Sequence, residues 1–182
     1  QPIPATQILL LDKEDPTRLA PDGEPGELAV RGPQVMCGYW NKPETQADAF
    51  ARFNGEEWLR TGDVATIDEE GFLAIVDRIK DMIAVGGFKV FPSQVEHVLL
   101  QHPAIKEVLV IGVPDDERGQ IVEAHVVLTE GAADDALMVK TLQDHVKAQI
   151  APYKYPRSVR FTEALPKTES GKIQRFKLKA DR

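Results

Sequence analysis

Asp63 closes the stretch Trp58-Leu59-Arg60-Thr61-Gly62-Asp63. Its carboxylate can accept two hydrogen bonds at once, which suits the adjacent hydroxyls of a ribose. The plainer role for a turn carboxylate is to satisfy backbone donors. Arg78 offers a planar fork of donors that fits the same sugar or its phosphate, and its plainer role is a salt bridge to Asp77 or Asp81. In Gly86-Gly87-Phe88-Lys89 the paired glycines permit close backbone approach to a thin ligand, or simply a tight turn. Ser170-Gly171-Lys172 presents an ammonium on a pliant loop, a point charge for a phosphate or else a solvated surface group. It is not a Walker loop, because the upstream glycine and the four-residue gap are missing.

The elements that must position these groups are legible in outline. β-favouring runs occupy residues 8–11, 27–31, 58–60, 64–67 and 72–76, separated by turn clusters such as Pro21-Asp22-Gly23. Asp68-Glu69-Glu70-Gly71 lies between two apolar runs and predicts a hairpin with a four-residue loop. Such a hairpin brings Asp63 near Asp77, and Arg78 with it. Helical periodicity starts after Pro92: Ser93 and Glu96 have the spacing of a capping box, and Val95, Val98 and Leu99 form a buried stripe ending near residue 101. Residues 108–113 and 121–128 predict two strands. In the second, Val122, Ala124, Val126 and Leu128 alternate with Glu123 and His125, which predicts a solvated face for His125. Val139, Leu142, Val146 and Ile150 mark another amphipathic helix, which Pro152 stops. Residues 158–161 predict a last strand, 166–172 a polar loop, and the end a short basic helix or tail.

The pattern is α+β, with strands and turns before residue 80 and alternating strands and helices after it. Two domains are expected, 1–79 and 80–182. Their connector, Asp77-Arg78-Ile79-Lys80-Asp81, is densely charged and has neither Gly nor Pro, which predicts a solvated, unpacked segment.

Composition bounds the function. With 182 residues, 42% hydrophobic and 28% charged, the chain can bury one core or two small ones. A net charge of −7 disfavours general nucleic-acid binding. The charge is uneven, however. Residues 153–182 hold nine Lys or Arg against three Asp or Glu, a balance of +6 that leaves −13 on residues 1–152, so the basic end suits an anionic partner. The single cysteine, Cys37, can form no internal disulfide, and no apolar run approaches the length of a signal or a membrane span. A reducing, cytoplasmic setting and no transmembrane segment are expected. The chain has no initiator Met and soon enters an apolar run, which predicts a piece of a longer protein.

Four ordered strings, GELAVRGPQVMCGYWNKPE, WLRTGD, DRIKDMIAVGGFKVFP and PKTESGKIQR, resemble the C-terminal third of the adenylate-forming superfamily. That superfamily comprises acyl-CoA synthetases, peptide-synthetase adenylation domains and beetle luciferases. The likeness is closest to AMP-forming fatty-acid and aryl acyl-CoA ligases, and Ala151-Pro152-Tyr153-Lys154-Tyr155-Pro156-Arg157 is similar to the medium-chain and benzoate-type ligases. The resemblance implies the β-rich end of a large domain followed by a small mobile C-terminal domain. It implies a carboxylic acid and ATP giving an acyl-adenylate, from which CoA displaces AMP to form the thioester. On this resemblance Asp63 and Arg78 bind ATP or AMP, Lys80 is the hinge between half-reactions, and Lys172 is the catalytic lysine of adenylation. Gly86, Gly87 and Phe88 line the pantetheine tunnel, and Lys89 contacts the CoA phosphates. No metal-binding residue is assigned here; Mg2+, the phosphate loop and the acyl pocket are expected from a missing N-terminal portion. Two alternatives stay open: an adenylation domain that delivers its acyl group to a carrier protein, and a non-catalytic α/β interaction module.

Overall fold

The computed structural model describes residues 3–180; Arg182, the last cation of the basic end, lies outside them. Cα packing divides the chain into two units, Gln1–Lys80 and Asp81–Arg182.

The first unit is built on an antiparallel sheet of five strands, β1 (Gln7–Leu11), β2 (Gly26–Arg31), β3 (Phe50–Phe53), β4 (Glu56–Ile67) and β5 (Leu73–Arg78). A short helix, α1 (Pro43–Ala49), precedes β3; neither α1 nor β3 has a strong signal in the sequence. β4 is the organising strand. Along one edge it pairs with β2, and along the other with β3 at residues 56–59 and then with β5 at residues 63–67. At the change of partner Gly62 has φ +74°, a backbone state that glycine adopts without steric cost. Leu11, Ala29, Ala51 and Trp58 form the buried cluster of this unit. The β4–β5 loop holds five residues, not four, because β5 begins at Leu73 and the Phe72 carbonyl accepts the Asp68 N–H at 3.0 Å.

The second unit holds β6 (Ile83–Val85), β7 (Phe88–Val90), α2 (Pro92–Leu100), β8 (Ile105–Asp115), β9 (Gly119–Leu128), α3 (Ala136–Gln149), β10 (Ser158–Phe161) and α4 (Arg175–Ala180). β9 is central: it runs antiparallel to β8, parallel to β10, and touches β6 through Val85 and Gly119. One sheet face packs Val108, Val110, Val122, Ala124 and Val126 against Val95, Val98 and Leu99 of α2 and Leu142 and Val146 of α3. Successive strand residues point to opposite faces, so Leu109 and Val127 lie on the other side, where Leu165 and Leu178 cover them. The architecture is mixed α+β, as the residue pattern implies.

Three expectations fail here, each for a tertiary reason. His125 is buried, because the outer face of β9 is covered as well. Glu123, 1% exposed, holds His125 Nε2 at 2.9 Å and accepts Ser158 Oγ at 2.8 Å and Arg160 Nε at 3.1 Å, so the buried charge is paired. Ser93 and Glu96 form no capping box: the N-cap of α2 is Phe91, Pro92 opens the helix, and Glu96 instead accepts the Val110 N–H at 2.8 Å. The 77–81 connector is not an unpacked segment. Asp77 and Arg78 end β5, Ile79–Asp81 forms a 3-10 turn, and Asp81 lies within 3.2 Å of Lys179 Nζ.

Candidate functional site

The candidate residues fall into two groups, one in each unit. In the first, Asp63 follows the Gly62 kink and pairs in register with Arg78, while Val64 takes Asp77. Arg78 Nε donates to Asp63 Oδ1 at 3.2 Å. The salt bridge of Arg78 is therefore with Asp63, not with Asp77 or Asp81; Asp77 Oδ1 accepts the Arg78 backbone N–H, at 2.7 Å. Local bonds set the strand up for this. Thr61 Oγ1 donates to the Leu28 carbonyl at 2.9 Å and accepts the Asp63 N–H at 3.1 Å. Just upstream, Arg60 Nη2 sits 2.8 Å from Oε2 of the buried Glu27, which clamps β4 to β2. The result is a half-exposed carboxylate beside an exposed guanidinium at a strand end. Such a pair can accept from vicinal hydroxyls and donate to a phosphate or ring oxygen.

In the second unit Gly86 and Gly87 form the two-residue turn between β6 and β7, with φ +55° and +86°. Two positive φ values in a two-residue hairpin are the demand of a type I′ turn, so the tight-turn reading of the glycines is realised. The Gly86 N–H donates to the Arg118 carbonyl at 2.9 Å. Phe88 is exposed, and its ring stacks on Tyr153 with centroids 4.5 Å apart and planes 22° apart. Val85, Gly86, Phe88, Glu117, Arg118 and Tyr153 line a cleft of about 320 Å³. Lys154, next to Tyr153, donates to Gln94 Oε1 at 2.9 Å. A mainly apolar cleft beside a side-chain-free turn, with Glu117 and Arg118 as its charged lining, can hold a slender chain.

Lys172 stands on a separate loop. The Thr168 N–H donates to the Lys172 carbonyl at 2.8 Å, and Thr168 Oγ1 accepts the Lys172 N–H at 3.0 Å. Gly171 takes φ +79° at the tip. Below the tip Lys167 and Ile173 bridge, and Lys167 Nζ is 2.7 Å from Glu107 Oε1 on β8. The loop is thus a short ribbon rooted at the buried Leu165 on one side and at Arg175 on the other, with an exposed lysine at its end. Lys80 ends the first unit and lies in the 3-10 turn. Among the described residues no group of three or more His, Cys, Asp and Glu side chains converges as a metal site.

Sequence reasoning missed Tyr153, Glu96 and Arg175 as partners of the candidate loops. Their contacts join residues far apart in the chain; the PKTESGKIQR string contains Arg175 and the Ala151–Arg157 stretch contains Tyr153, but neither string indicates the partner.

Residues 94–172 match the family model of the AMP-binding enzyme C-terminal domain. The chain is 45% identical over 178 residues to a long-chain-fatty-acid–CoA ligase of Escherichia coli O6:H1, covering 98% of this chain and 30% of that protein. It is 43% identical over 153 residues to a feruloyl-CoA synthase of an Amycolatopsis species, covering 84% of this chain and 30% of the relative. In structure it resembles ATP-bound MatB from Rhodopseudomonas palustris, with a TM-score of 0.86 and 33% identity over 98% of this chain and 34% of that one. The chain therefore spans about a third of the length of the proteins it matches.

Proposed function

Since the chain belongs to the adenylate-forming enzymes through the C-terminal domain at residues 94–172, we propose that it works as part of an AMP-forming acyl-CoA synthetase, with residues 80–182 as the small mobile domain. The observation that carries this reading is that one unit presents two independently anchored reactive elements: the Lys172 loop rooted at Leu165 and Arg175, and the Gly86-Gly87 turn beside the Phe88–Tyr153 cleft. A two-step ligase needs both at one reaction centre, one after the other.

In the first step a carboxylate oxygen attacks the α-phosphorus of ATP, the bond to the β-phosphate oxygen breaks, and pyrophosphate leaves with the electron pair. Asp63 accepts from the ribose hydroxyls, and Arg78 donates to the ribose or phosphate side of the nucleotide. Lys172 places its ammonium where charge grows on the α-phosphate oxygens, which stabilises the transition state more than the ground state. In the second step the CoA sulfur attacks the acyl carbonyl, the bond to the AMP oxygen breaks, and AMP departs. Gly86 and Gly87 leave room for the pantetheine arm, Phe88 lies against it, and Lys89 meets the CoA phosphates. Lys80 is the hinge whose torsions change between the steps. The substrates are a carboxylic acid, ATP and CoA; Mg2+ accompanying ATP would be held outside these residues. A cytoplasmic location belongs to the same proposal, and among the described residues no helix is long and apolar enough to cross a membrane.

The test joins this chain to the remaining part of a long-chain-fatty-acid–CoA ligase relative. The joined enzyme is expected to release pyrophosphate and form acyl-CoA from a fatty acid, ATP and CoA. Acyl-CoA synthesis by the 182-residue chain alone would overturn the division of labour assigned here.

A further inference from the structure

Arg175 lies three positions beyond Lys172, and Asp81 directly follows Lys80. In the second unit these two neighbours meet. Arg175 Nε is 3.6 Å from Asp81 Oδ2. The same guanidinium reaches Glu96 of α2, with Nη1 2.9 Å from Oε1 and Nη2 3.3 Å from Oε2, and Nη1 also donates to the Val110 carbonyl of β8. Glu96 Oε1 accepts the Val110 N–H at 2.8 Å, and Lys179 Nζ adds a second cation 3.2 Å from Asp81 Oδ1. The side chains of Arg175, Glu96 and Asp81 are 19%, 16% and 26% exposed, so solvent screens them less than it does a surface pair. One planar fork therefore ties together the first residue of the unit, the helix α2, the strand β8 and the foot of the Lys172 ribbon. A lysine, as a point charge, cannot span those acceptors at once.

We propose that Arg175 is a positioning residue: by holding Asp81, Glu96 and the Val110 carbonyl together it makes the hinge exit and the base of the Lys172 loop one rigid frame, so that rotation at the hinge delivers the ammonium to a fixed place. The inference rests on the functional reading above, in which Lys172 acts in adenylation and Lys80 is the hinge. The opposite side of the ribbon is held by the apolar packing of Leu165 and by the Lys167–Glu107 ion pair at 2.7 Å, with Lys167 39% exposed. Arg175, 19% exposed, is the less solvated of the two polar anchors.

Two measurements test this. In the 182-residue chain, amide exchange is followed for Arg175→Lys and Arg175→Met. Exchange at the Thr168, Lys172 and Gln174 amides, all hydrogen-bonded within the ribbon, should rise about tenfold in Arg175→Met, while the β9 amides stay protected. Arg175→Lys keeps a cation beside Glu96 and Asp81, so it preserves the fold and should show a smaller rise at the same amides. In the joined enzyme Arg175→Met should slow acyl-adenylate formation on the order of tenfold, within the ~10²-fold that a misplaced group can cost, and Arg175→Lys less. Thioester formation from supplied acyl-adenylate should change less than about twofold, since Lys172 has no part in it. Equal slowing of both half-reactions, or exchange rising evenly over both the ribbon and β9, would show Arg175 to be merely structural and overturn the proposal. Lys172→Ala, run alongside, keeps two failures apart. If it adenylates normally, the functional reading falls; if it is inactive while Arg175→Met adenylates at full rate, this inference alone falls.

Discussion

Asp63 and Arg78 face each other in register across β4 and β5, with Arg78 Nε 3.2 Å from Asp63 Oδ1. The side chains are 30% and 74% exposed, so the pair contributes no more than about 1 kcal/mol to stability. The pair joins the interior of β4, just after Gly62, to the last residue of β5, and holds the fold only weakly.

Asp63→Ala should therefore leave the melting temperature nearly unchanged and weaken ATP use. Losing hydrogen bonds to a charged acceptor costs about 1.5–3 kcal/mol, which is roughly a ten- to hundredfold rise in KM for ATP in pyrophosphate exchange. An unaltered KM would return Asp63 to the role of a turn carboxylate.

Lys172→Ala removes an ammonium that the loop holds by its backbone, so the Thr168 bonds survive. Adenylation should fall on the order of 10²- to 10³-fold, while conversion of supplied acyl-adenylate to thioester barely changes. Equal loss in both steps would mark the lysine as structural.

Lys80→Pro addresses the proposed hinge. Proline fixes φ near −65°, a value a 3-10 turn already uses, but it disfavours the helical torsions of Ile79 before it. Adenylation should persist while thioester formation drops. The two half-reactions are measured separately on the same variant, and equal rates relative to the parent would take Lys80 out of the mechanism.

Tyr153 supports Phe88 from the 3-10 turn Pro152–Lys154. An aromatic pair of this geometry is worth about 0.5–1.5 kcal/mol, so Tyr153→Ala should raise KM for CoA roughly two- to tenfold. Tyr153→Phe keeps the stack and should restore the parental value. A KM for CoA that ignores both changes would separate the stack from CoA binding.

His102 sits edge-on to His145 with ring centroids 5.3 Å apart, and its Nδ1 accepts the Ala104 N–H at 3.3 Å. Burial first, and the neighbouring His145 second, hold its pKa below the ordinary 6.5. The unfolded chain then takes up a proton at higher pH than the folded one. The stability this neutral imidazole supports is fully present above 6.5 and is lost as pH falls from there through the lowered folded value. The melting temperature should decline over that window, and His102→Gln should flatten the decline. An identical slope in the variant would assign the effect to other groups.

Local chemistry set what the sequence could tell. The alternation of Val122, Ala124, Val126 and Leu128, the stripe of Val95, Val98 and Leu99, and the four motif strings each depend on residues close in the chain, so strands, helices and candidate loops were legible there. The paired glycines at 86 and 87 likewise pointed to a turn, and the turn is present. Tertiary structure decided the rest, because it depends on which distant groups share a space. Glu96 has capping-box spacing, yet the Val110 N–H and the Arg175 guanidinium offer it stronger partners from β8 and α4. His125 sits at a position of solvated type, yet the cover of Leu165 and Leu178 over Leu109 and Val127 shows that this face of the sheet is also enclosed, and the imidazole turns to Glu123. The connector reads as solvated because its charges are dense, but Asp81 finds Arg175 and Lys179 nearly a hundred positions away. A charge in a sequence carries no record of its counter-charge, and only the folded chain brings the two together.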